Sequence, residues 1–238
     1  MGAACAVPAI AAGGPPKVRL AAIGTGGRGH GDLHSFLRTG LAEITCACDV
    51  YAPALEWVRK EQPKAKIYRD YRQMLRECAG EYDAVSIMTP DHTHAVAFFE
   101  ANKYNVPVYC AKPLGHTISE TLAMMRVARE KRIITHVSHH GNSEPGTPLL
   151  PPKKYPRYKN HWAEFLQAVQ QKRAANTPFE LAGKFTVMGL MGTISTRFPG
   201  RRLEFDSASM RFTNVPEANA LLRPDWSEAA RAEWGRYL

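Results

Sequence analysis

Apolar segments of strand length alternate with amphipathic segments of helix length from Val18 to Ser138. Short apolar runs bounded by turn residues are typical of buried parallel strands, and the longer segments follow a helical period. The predicted strands are Val18–Ile23, Glu43–Asp49, Lys66–Tyr68, Asp83–Thr89, Pro107–Cys110 and Ile133–Ser138. The predicted helices are His30–Arg38, Pro53–Glu61, Tyr71–Cys78, His92–Tyr104 and Ile118–Lys131. Strands joined by helical crossovers predict an α/β fold with a doubly wound parallel sheet.

Local signals support two of these helix starts. Thr117-x-x-Glu120 is the pattern of a capping box. Asp91 follows Pro90 and is a residue type favoured at a helix N-cap. The sequence therefore predicts that Asp91 and Thr117 begin the fourth and fifth helices.

A glycine-rich turn directly follows the first predicted strand. Residues 24–29 read Gly-Thr-Gly-Gly-Arg-Gly and fit G-x-G-x-x-G. In such a motif Gly24 allows the tight turn, Gly26 lets the backbone approach a pyrophosphate, and Gly29 packs the helix on the strand. The helix N-terminus then offers N–H groups to the phosphates. A strand before this turn and a helix after it favour dinucleotide binding, by Gly24, Gly26, Gly27, Arg28 and Gly29, over a glycine turn of another α/β fold.

The predicted second strand ends in an acid, Asp49, which lies 20 residues beyond Gly29. A carboxylate at this place can accept hydrogen bonds from the adenosine ribose. It also disfavours a 2′-phosphate, so the predicted cofactor is NAD, with NADP disfavoured.

Polar residues follow three later strands, at the sheet edge where ligands bind in this fold. The segments are 89–94 (Thr-Pro-Asp-His-Thr-His), 110–116 (Cys-Ala-Lys-Pro-Leu-Gly-His) and 138–142 (Ser-His-His-Gly-Asn). An ammonium at Lys112 would polarise a substrate hydroxyl, although a surface lysine before a turn proline has the same pattern. Of His139 and His140 only one can face a pocket, and His140 is the candidate general base. His94 would orient a loop, contact the cofactor or serve packing; two histidines at positions 92 and 94 do not converge on a metal.

Three motifs together resemble the Gfo/Idh/MocA family, which includes glucose–fructose oxidoreductase and inositol dehydrogenase. They are Gly24-x-Gly26-x-x-Gly29, Thr89-Pro90-Asp91-x-x-His94 and Lys112-Pro113, which resembles the family's Glu-Lys-Pro. The resemblance implies an NAD-dependent oxidoreductase acting on a sugar or polyol. It also implies cofactor contacts from Thr89, Pro90, His94 and Lys112, and a catalytic role for Lys112.

The chain departs from the family pattern in two places. Ala111 stands where the family has Glu, and the segment after Asn142 leads to closing helices without the family's open antiparallel sheet. The resemblance therefore implies a truncated substrate domain. A nucleotide-binding protein with impaired catalysis is one alternative function, and an NAD-dependent glycosidase that uses transient oxidation is another.

The predicted organisation has four parts. Residues 1–17 form a leader, 18–141 an NAD-binding Rossmann domain, 142–159 a linker with five prolines, and 160–238 a reduced, mainly helical C-terminal region. The last part contains predicted helices at 160–173, 180–198 and 216–222 and short strands at 202–205 and 209–213. The leader is rich in Ala, Gly and Pro, so it is either a remnant of an export signal or an unstructured leader. Both a cytoplasmic and an exported, periplasmic location stay open.

The composition limits the kinds of molecule that the chain is predicted to bind. The formal net charge is +9, but acids alternate with the basic residues, so no nucleic-acid partner is predicted. No apolar run is long enough to span a membrane. The five cysteines lack zinc spacing, so they are expected as buried apolar residues and no metal site is predicted. The predicted partners are a small-molecule substrate and, through the family resemblance, a second copy of the chain in a homo-oligomer.

Overall fold

A six-stranded parallel sheet forms the centre of the fold, in a computed structural model that describes residues 16–138 and 160–238. The strand order is β3-β2-β1-β4-β5-β6, and every neighbouring pair is parallel. The strands are β1 (Val18–Ile23), β2 (Ala42–Cys48), β3 (Lys66–Tyr68), β4 (Ala84–Ile87), β5 (Val108–Cys110) and β6 (Thr135–Val137). The predicted doubly wound α/β fold is confirmed. The order reverses between β1 and β4, which creates a crevice at the carboxyl ends of these strands.

Helices connect successive strands on both faces of the sheet. They are α1 (Gly27–Arg38), α2 (Glu56–Glu61), α3 (Tyr71–Glu77), α4 (His94–Ala101) and α5 (Ile118–Glu130), with short 3₁₀ turns at Ala52–Leu55, Asp91–Thr93 and Asn102–Tyr104. The predicted capping box of Thr117 and Glu120 is confirmed at the start of α5. The predicted N-cap role of Asp91 is wrong. Its side chain caps no helix, because Asp91 lies in the 3₁₀ turn and its carboxylate faces His116 from the next loop.

Two apolar layers cover the sheet. One layer is centred on Leu75, Phe98, Phe99 and Met124, and the other on Leu33, Phe36, Tyr109 and Phe165. Cys46, Cys48, Cys78 and Cys110 are buried free thiols, as expected. Strands buried on both faces explain why β1 and β4 read as continuous apolar runs rather than alternating ones.

The C-terminal part is mainly helical and packs on the sheet's own helices. Its elements are α6 (His161–Gln171), α7 (Phe179–Ser195), the two-residue strands β7 (Phe205–Asp206) and β8 (Arg211–Phe212), a 3₁₀ segment (Pro216–Leu222) and α8 (Glu228–Trp234). The α7 helix packs against α5. Trp162 of α6 donates from Nε1 to Oδ1 of Asp32 in α1 at 3.0 Å. Within residues 16–138 and 160–238, no helix has the length and apolarity that a membrane span requires.

The α8 helix was not predicted, because the tail of the chain reads as mostly polar. Its Trp234 is fully buried, and the indole lies 6.3 Å from the ring of Phe99 on α4. The predicted linker at 142–159 lies outside the described residues, as does the leader up to residue 15.

Candidate active site

The glycine turn joins β1 to α1 in a backbone conformation that excludes side chains. Gly24 has a φ of +86°, and a Cβ there would lie 2.7 Å from the carbonyl oxygen of Met88. A Cβ on Gly29 would lie 2.3 Å from the carbonyl oxygen of Gly24. The α1 helix begins at Gly27, and no side chain caps it. The N-terminus of α1, the positive end of the helix dipole, therefore lies at the crevice, where an anion would be stabilised.

Asp49 holds this turn from the end of β2. Its Oδ2 accepts hydrogen bonds from the backbone N–H of Thr25 at 2.8 Å and of Gly26 at 3.2 Å. Its Oδ1 accepts from the N–H of Tyr51 at 2.9 Å. The neighbouring side chains of Val50 and Tyr51 are 77% and 66% exposed. A negative charge and an exposed apolar surface thus lie side by side next to the glycine turn.

Arg28 lies in the first turn of α1 and is oriented by a buried acid. Its guanidinium forms two hydrogen bonds with the carboxylate of Asp32, at 3.0 and 2.9 Å. Asp32 is fully buried and also accepts the indole N–H of Trp162. Asp32, which is held by Trp162 of α6, therefore fixes the arginine beside the N-terminus of α1.

The loops after β4 and β5 are tied together by a buried histidine. His94 is 1% exposed, with Nε2 2.7 Å from the carbonyl oxygen of Thr89 and Nδ1 2.8 Å from that of Pro113. The sequence left three roles open for His94, and these two contacts correspond to the orientation of a loop. A contact between His94 and the cofactor stays a prediction. Pro90 is exposed in the same loop, and the buried Oγ1 of Thr89 has no hydrogen-bond partner among the described residues.

The environment of His94 makes the protonation of the imidazole unfavourable. Burial lowers its pKa from the ordinary 6.5, and the two carbonyl contacts offset only part of that effect. Both partners are acceptors, so the neutral ring donates to one carbonyl at a time. In the unfolded chain the same imidazole is solvated and takes up a proton more readily.

We therefore expect the free energy of unfolding to fall as the pH drops below 6.5. The unfolded state then binds a proton that the native state binds only at lower pH, which costs up to about 1.4 kcal/mol per pH unit. Urea unfolding between about pH 7.5 and 5.5 measures this slope. A His94→Gln variant should lose this share of the slope. Burial raises the pKa of Glu120, so this carboxyl makes the free energy of unfolding rise as the pH falls. That contribution is the same in the wild type and in the variant. Equal slopes in the two proteins would contradict the expectation.

Lys112 lies at the carboxyl end of β5, next to the loop that His94 holds. Its side chain is exposed, and the preceding Ala111 is buried. The Lys112–Pro113 peptide bond is cis. From the other side, the N–H of Leu114 donates to Oγ1 of Thr186 on α7 at 3.2 Å. The backbone that carries Lys112 is therefore anchored by α4 and by α7.

Sequence reasoning missed a second tie between these loops. Nδ1 of His116 lies 3.4 Å from Oδ2 of Asp91. Burial raises the pKa of the Asp91 carboxyl, but pairing with His116 outweighs this and holds it below its ordinary value. The pairing of β4 with β5 was the one signal that could have suggested this contact. His140, the other predicted catalytic residue, lies outside the described residues.

The glycine turn, Asp49, Thr89 and Lys112 thus line one edge of the sheet. A family model described as "Oxidoreductase family, NAD-binding Rossmann fold" (GFO_IDH_MocA) matches residues 18–139, about half of the chain. The chain belongs to this Gfo/Idh/MocA family. Among the residues that the structure describes, no group of three or more His, Cys, Asp or Glu side chains can hold a metal ion.

Relatives within the family each match about half of the chain. The rhizopine catabolism protein MocA of Rhizobium meliloti is 26% identical over 123 residues, 52% of this chain and 38% of that protein. Inositol 2-dehydrogenase 2 of Paenarthrobacter aurescens (strain TC1) is 29% identical over 109 residues, 45% of this chain and 32% of that protein. The crystal structure of myo-inositol 2-dehydrogenase from Lactobacillus plantarum has a TM-score of 0.48 at 25% identity, covering 51% of this chain and 36% of that one. The chain spans only about a third of these relatives' length.

Proposed function

We propose that this Gfo/Idh/MocA protein is an NAD-dependent oxidoreductase that acts on a sugar or polyol. The observation that carries the proposal is the junction of the glycine turn with Asp49. The turn brings bare backbone and the start of α1 to the crevice, and the Asp49 carboxylate lies within hydrogen-bond distance of the backbone N–H groups of Thr25 and Gly26. A pyrophosphate needs bare backbone and a helix N-terminus, and an adenosine ribose needs a carboxylate beside them that can accept hydrogen bonds from its hydroxyls.

The reversal of strand order suggests how the cofactor would lie. The adenosine would bind at the end of β2, with its ribose at Asp49 and its base against Val50 and Tyr51. The diphosphate would lie on the glycine turn, and the nicotinamide would reach the ends of β4 and β5. There Oγ1 of Thr89, which has no hydrogen-bond partner among the described residues, would bind a polar group of the cofactor or substrate. NAD supplies the acceptor for a hydride from the substrate carbon.

Lys112 is the residue proposed to act on the reacting hydroxyl. As the neutral amine, Lys112 would hold the substrate hydroxyl through a hydrogen bond and accept the proton that this oxygen loses while the hydride passes to NAD, becoming the ammonium. His94 would act through the backbone, by keeping the carbonyls of Thr89 and Pro113 in place. The contacts of Arg28 with Asp32 would keep a positive charge beside the diphosphate.

The Asp49 carboxylate should decide the choice between NAD and NADP. We expect the wild-type protein to bind NAD at least about tenfold more tightly than NADP, since a 2′-phosphate would meet this negative charge. An Asp49→Asn variant keeps an acceptor for the turn but removes the charge. It should lower the affinity for NAD by about tenfold or more and lower the affinity for NADP by a smaller factor. Calorimetry with both nucleotides measures the two affinities. Glu43→Gln, at the far, exposed end of β2, is the matched control. Equal or tighter binding of NADP by the wild type would overturn the assignment.

The substrate class rests on the names of the relatives, an inositol dehydrogenase and a rhizopine catabolism protein. A screen of inositols, hexoses and sugar acids, with NAD reduction as the readout, tests it. Ala111, at a position where the family has Glu, favours one alternative, a nucleotide-binding protein without turnover. Tight NAD binding with no reduction on any polyol would support that alternative. Cleavage of a glycoside without net NAD reduction would indicate a glycosidase, and no affinity for either nucleotide would refute all three functions.

A further inference from the structure

Two histidines on successive turns of α1 point their ring nitrogens at each other. His30 and His34 are four residues apart and therefore share one face of the helix. Their Nε2 atoms lie 3.1 Å apart, and the ring centroids are 4.4 Å apart. His30 is exposed, and the side chain of His34 is 24% exposed. Solvent therefore reaches the pair, which has no part in the function proposed above.

The spacing of the two nitrogens matches a shared metal ion. Imidazole nitrogens bind zinc at about 2.0–2.1 Å, so two of them on one ion, at angles of about 90–110°, are about 2.9–3.4 Å apart. The observed 3.1 Å lies inside this range. Binding an ion would therefore require the rings to rotate until both lone pairs converge on it, but would not require the separation of the two nitrogens to change.

A carboxylate lies behind one of the two rings, at ion-pair distance. Nδ1 of His34 lies 3.7 Å from Oε2 of Glu61, the last residue of α2. A carboxylate behind the second ring nitrogen is the usual outer partner of a metal-bound histidine, and it raises the basicity of the ligand. With the proton of His34 on Nδ1, on the side of Glu61, the lone pair remains on Nε2. His30 then donates its Nε2–H to His34, and on metal binding this proton moves to Nδ1 of His30.

Trp57 holds both rings in place. Its ring centroid lies 4.5 Å from that of His34 and 5.1 Å from that of His30. Its own Nε1 donates to the carbonyl oxygen of Thr25 at 3.0 Å, so the indole is fixed to the glycine turn. The pair is thus preorganised, and ordering the side chains would cost little of the binding free energy.

We propose that His30 and His34 bind one divalent ion of the late first transition series, with water completing its coordination. Imidazole ligands suit Cu²⁺, Ni²⁺ and Zn²⁺, whereas Mg²⁺ and Ca²⁺ require oxygen ligands. Since no third protein ligand lies among the described residues, the affinity should follow the intrinsic order of the ions, with Cu²⁺ tightest.

Trp57 provides a local readout for the test. We expect one equivalent of CuCl₂, added to the metal-free protein, to quench the part of the tryptophan fluorescence that Trp57 contributes. Calorimetry should show a matching one-to-one event, and MgCl₂ should produce neither signal. His30→Ala and His34→Ala should each weaken Cu²⁺ binding at least about tenfold, the equivalent of 1.4 kcal/mol. In Trp57→Phe the heat of binding should persist while this share of the quenching disappears.

His116→Ala, at an exposed histidine outside the pair, is the matched control and should bind Cu²⁺ like the wild type. Thermal unfolding without metal checks that each variant is folded. If His30→Ala would not fold, His30→Gln provides the same test, because its amide binds Cu²⁺ far more weakly than imidazole does. Unchanged Cu²⁺ affinity in folded variants at both positions, or quenching that survives in Trp57→Phe, would refute the site.

Discussion

A Gly29→Ala variant is expected to lose about 1–3 kcal/mol of unfolding free energy, the range measured for overpacking at a well-packed position. The added Cβ would lie 2.3 Å from the carbonyl oxygen of Gly24 and 3.0 Å from its carbonyl carbon. Both are backbone atoms of the turn, so no side-chain rotation relieves the contact. The turn itself must move, and with it the N–H groups proposed to face the diphosphate. We therefore expect NAD affinity to fall at least about tenfold as well.

Gly31→Ala provides a matched control two residues along the same helix. A Cβ at Gly31 meets no atom within 4 Å in the part of the chain that the structure describes, and the residue lies inside α1. Alanine there should stabilise the protein by about 0.5–1 kcal/mol, because it removes backbone entropy from the unfolded chain. Urea unfolding followed by circular dichroism, together with calorimetry with NAD, measures both variants. The expectation is wrong if the two variants shift stability in the same direction, or if Gly29→Ala binds NAD like the wild type.

Lys112→Met is expected to reduce kcat/KM by about 100- to 10,000-fold on the best polyol of the screen, the usual range for a lost acid–base group. The methionine keeps much of the apolar stem but has no proton to donate or share. Lys112 is exposed, and within residues 16–138 and 160–238 it forms no ion pair that its loss would break. Stability should therefore stay within about 0.5 kcal/mol of the wild type.

Lys60→Met separates this effect from the loss of one positive charge. Lys60 is exposed near the end of α2, which runs from the carboxyl edge of the sheet toward its amino edge. Its replacement should leave kcat/KM within about twofold, since it removes only a distant, screened charge. Steady-state kinetics on the same substrate compares the two variants, with NAD affinity measured alongside. Turnover of Lys112→Met at the wild-type rate would exclude the proposed role.

Most of the fold could be predicted because its signals are local. The six predicted strands match β1 to β6 with differences of at most two residues at any end. Runs of apolar residues, a glycine turn and a capping box each arise within a few neighbouring residues, where backbone sterics and side-chain period act directly. The helix of the C-terminal tail was harder to predict, because α8 has one buried side chain, Trp234, and an otherwise polar surface.

In the candidate site, too, the local features could be predicted and the long-range contacts could not. The spacing of Gly24, Gly26, Gly29 and Asp49 is a property of one strand–turn–helix–strand unit, so the amino-acid sequence was sufficient to predict it. The contact of His94 with Pro113, the pair of Asp91 with His116, and the His30–His34–Trp57 cluster were decided only by the tertiary structure. Asp91 shows the physical reason. Its local preference was a helix cap, but the pairing of β4 with β5 brought a histidine 25 residues away within 3.4 Å, and this long-range contact prevailed.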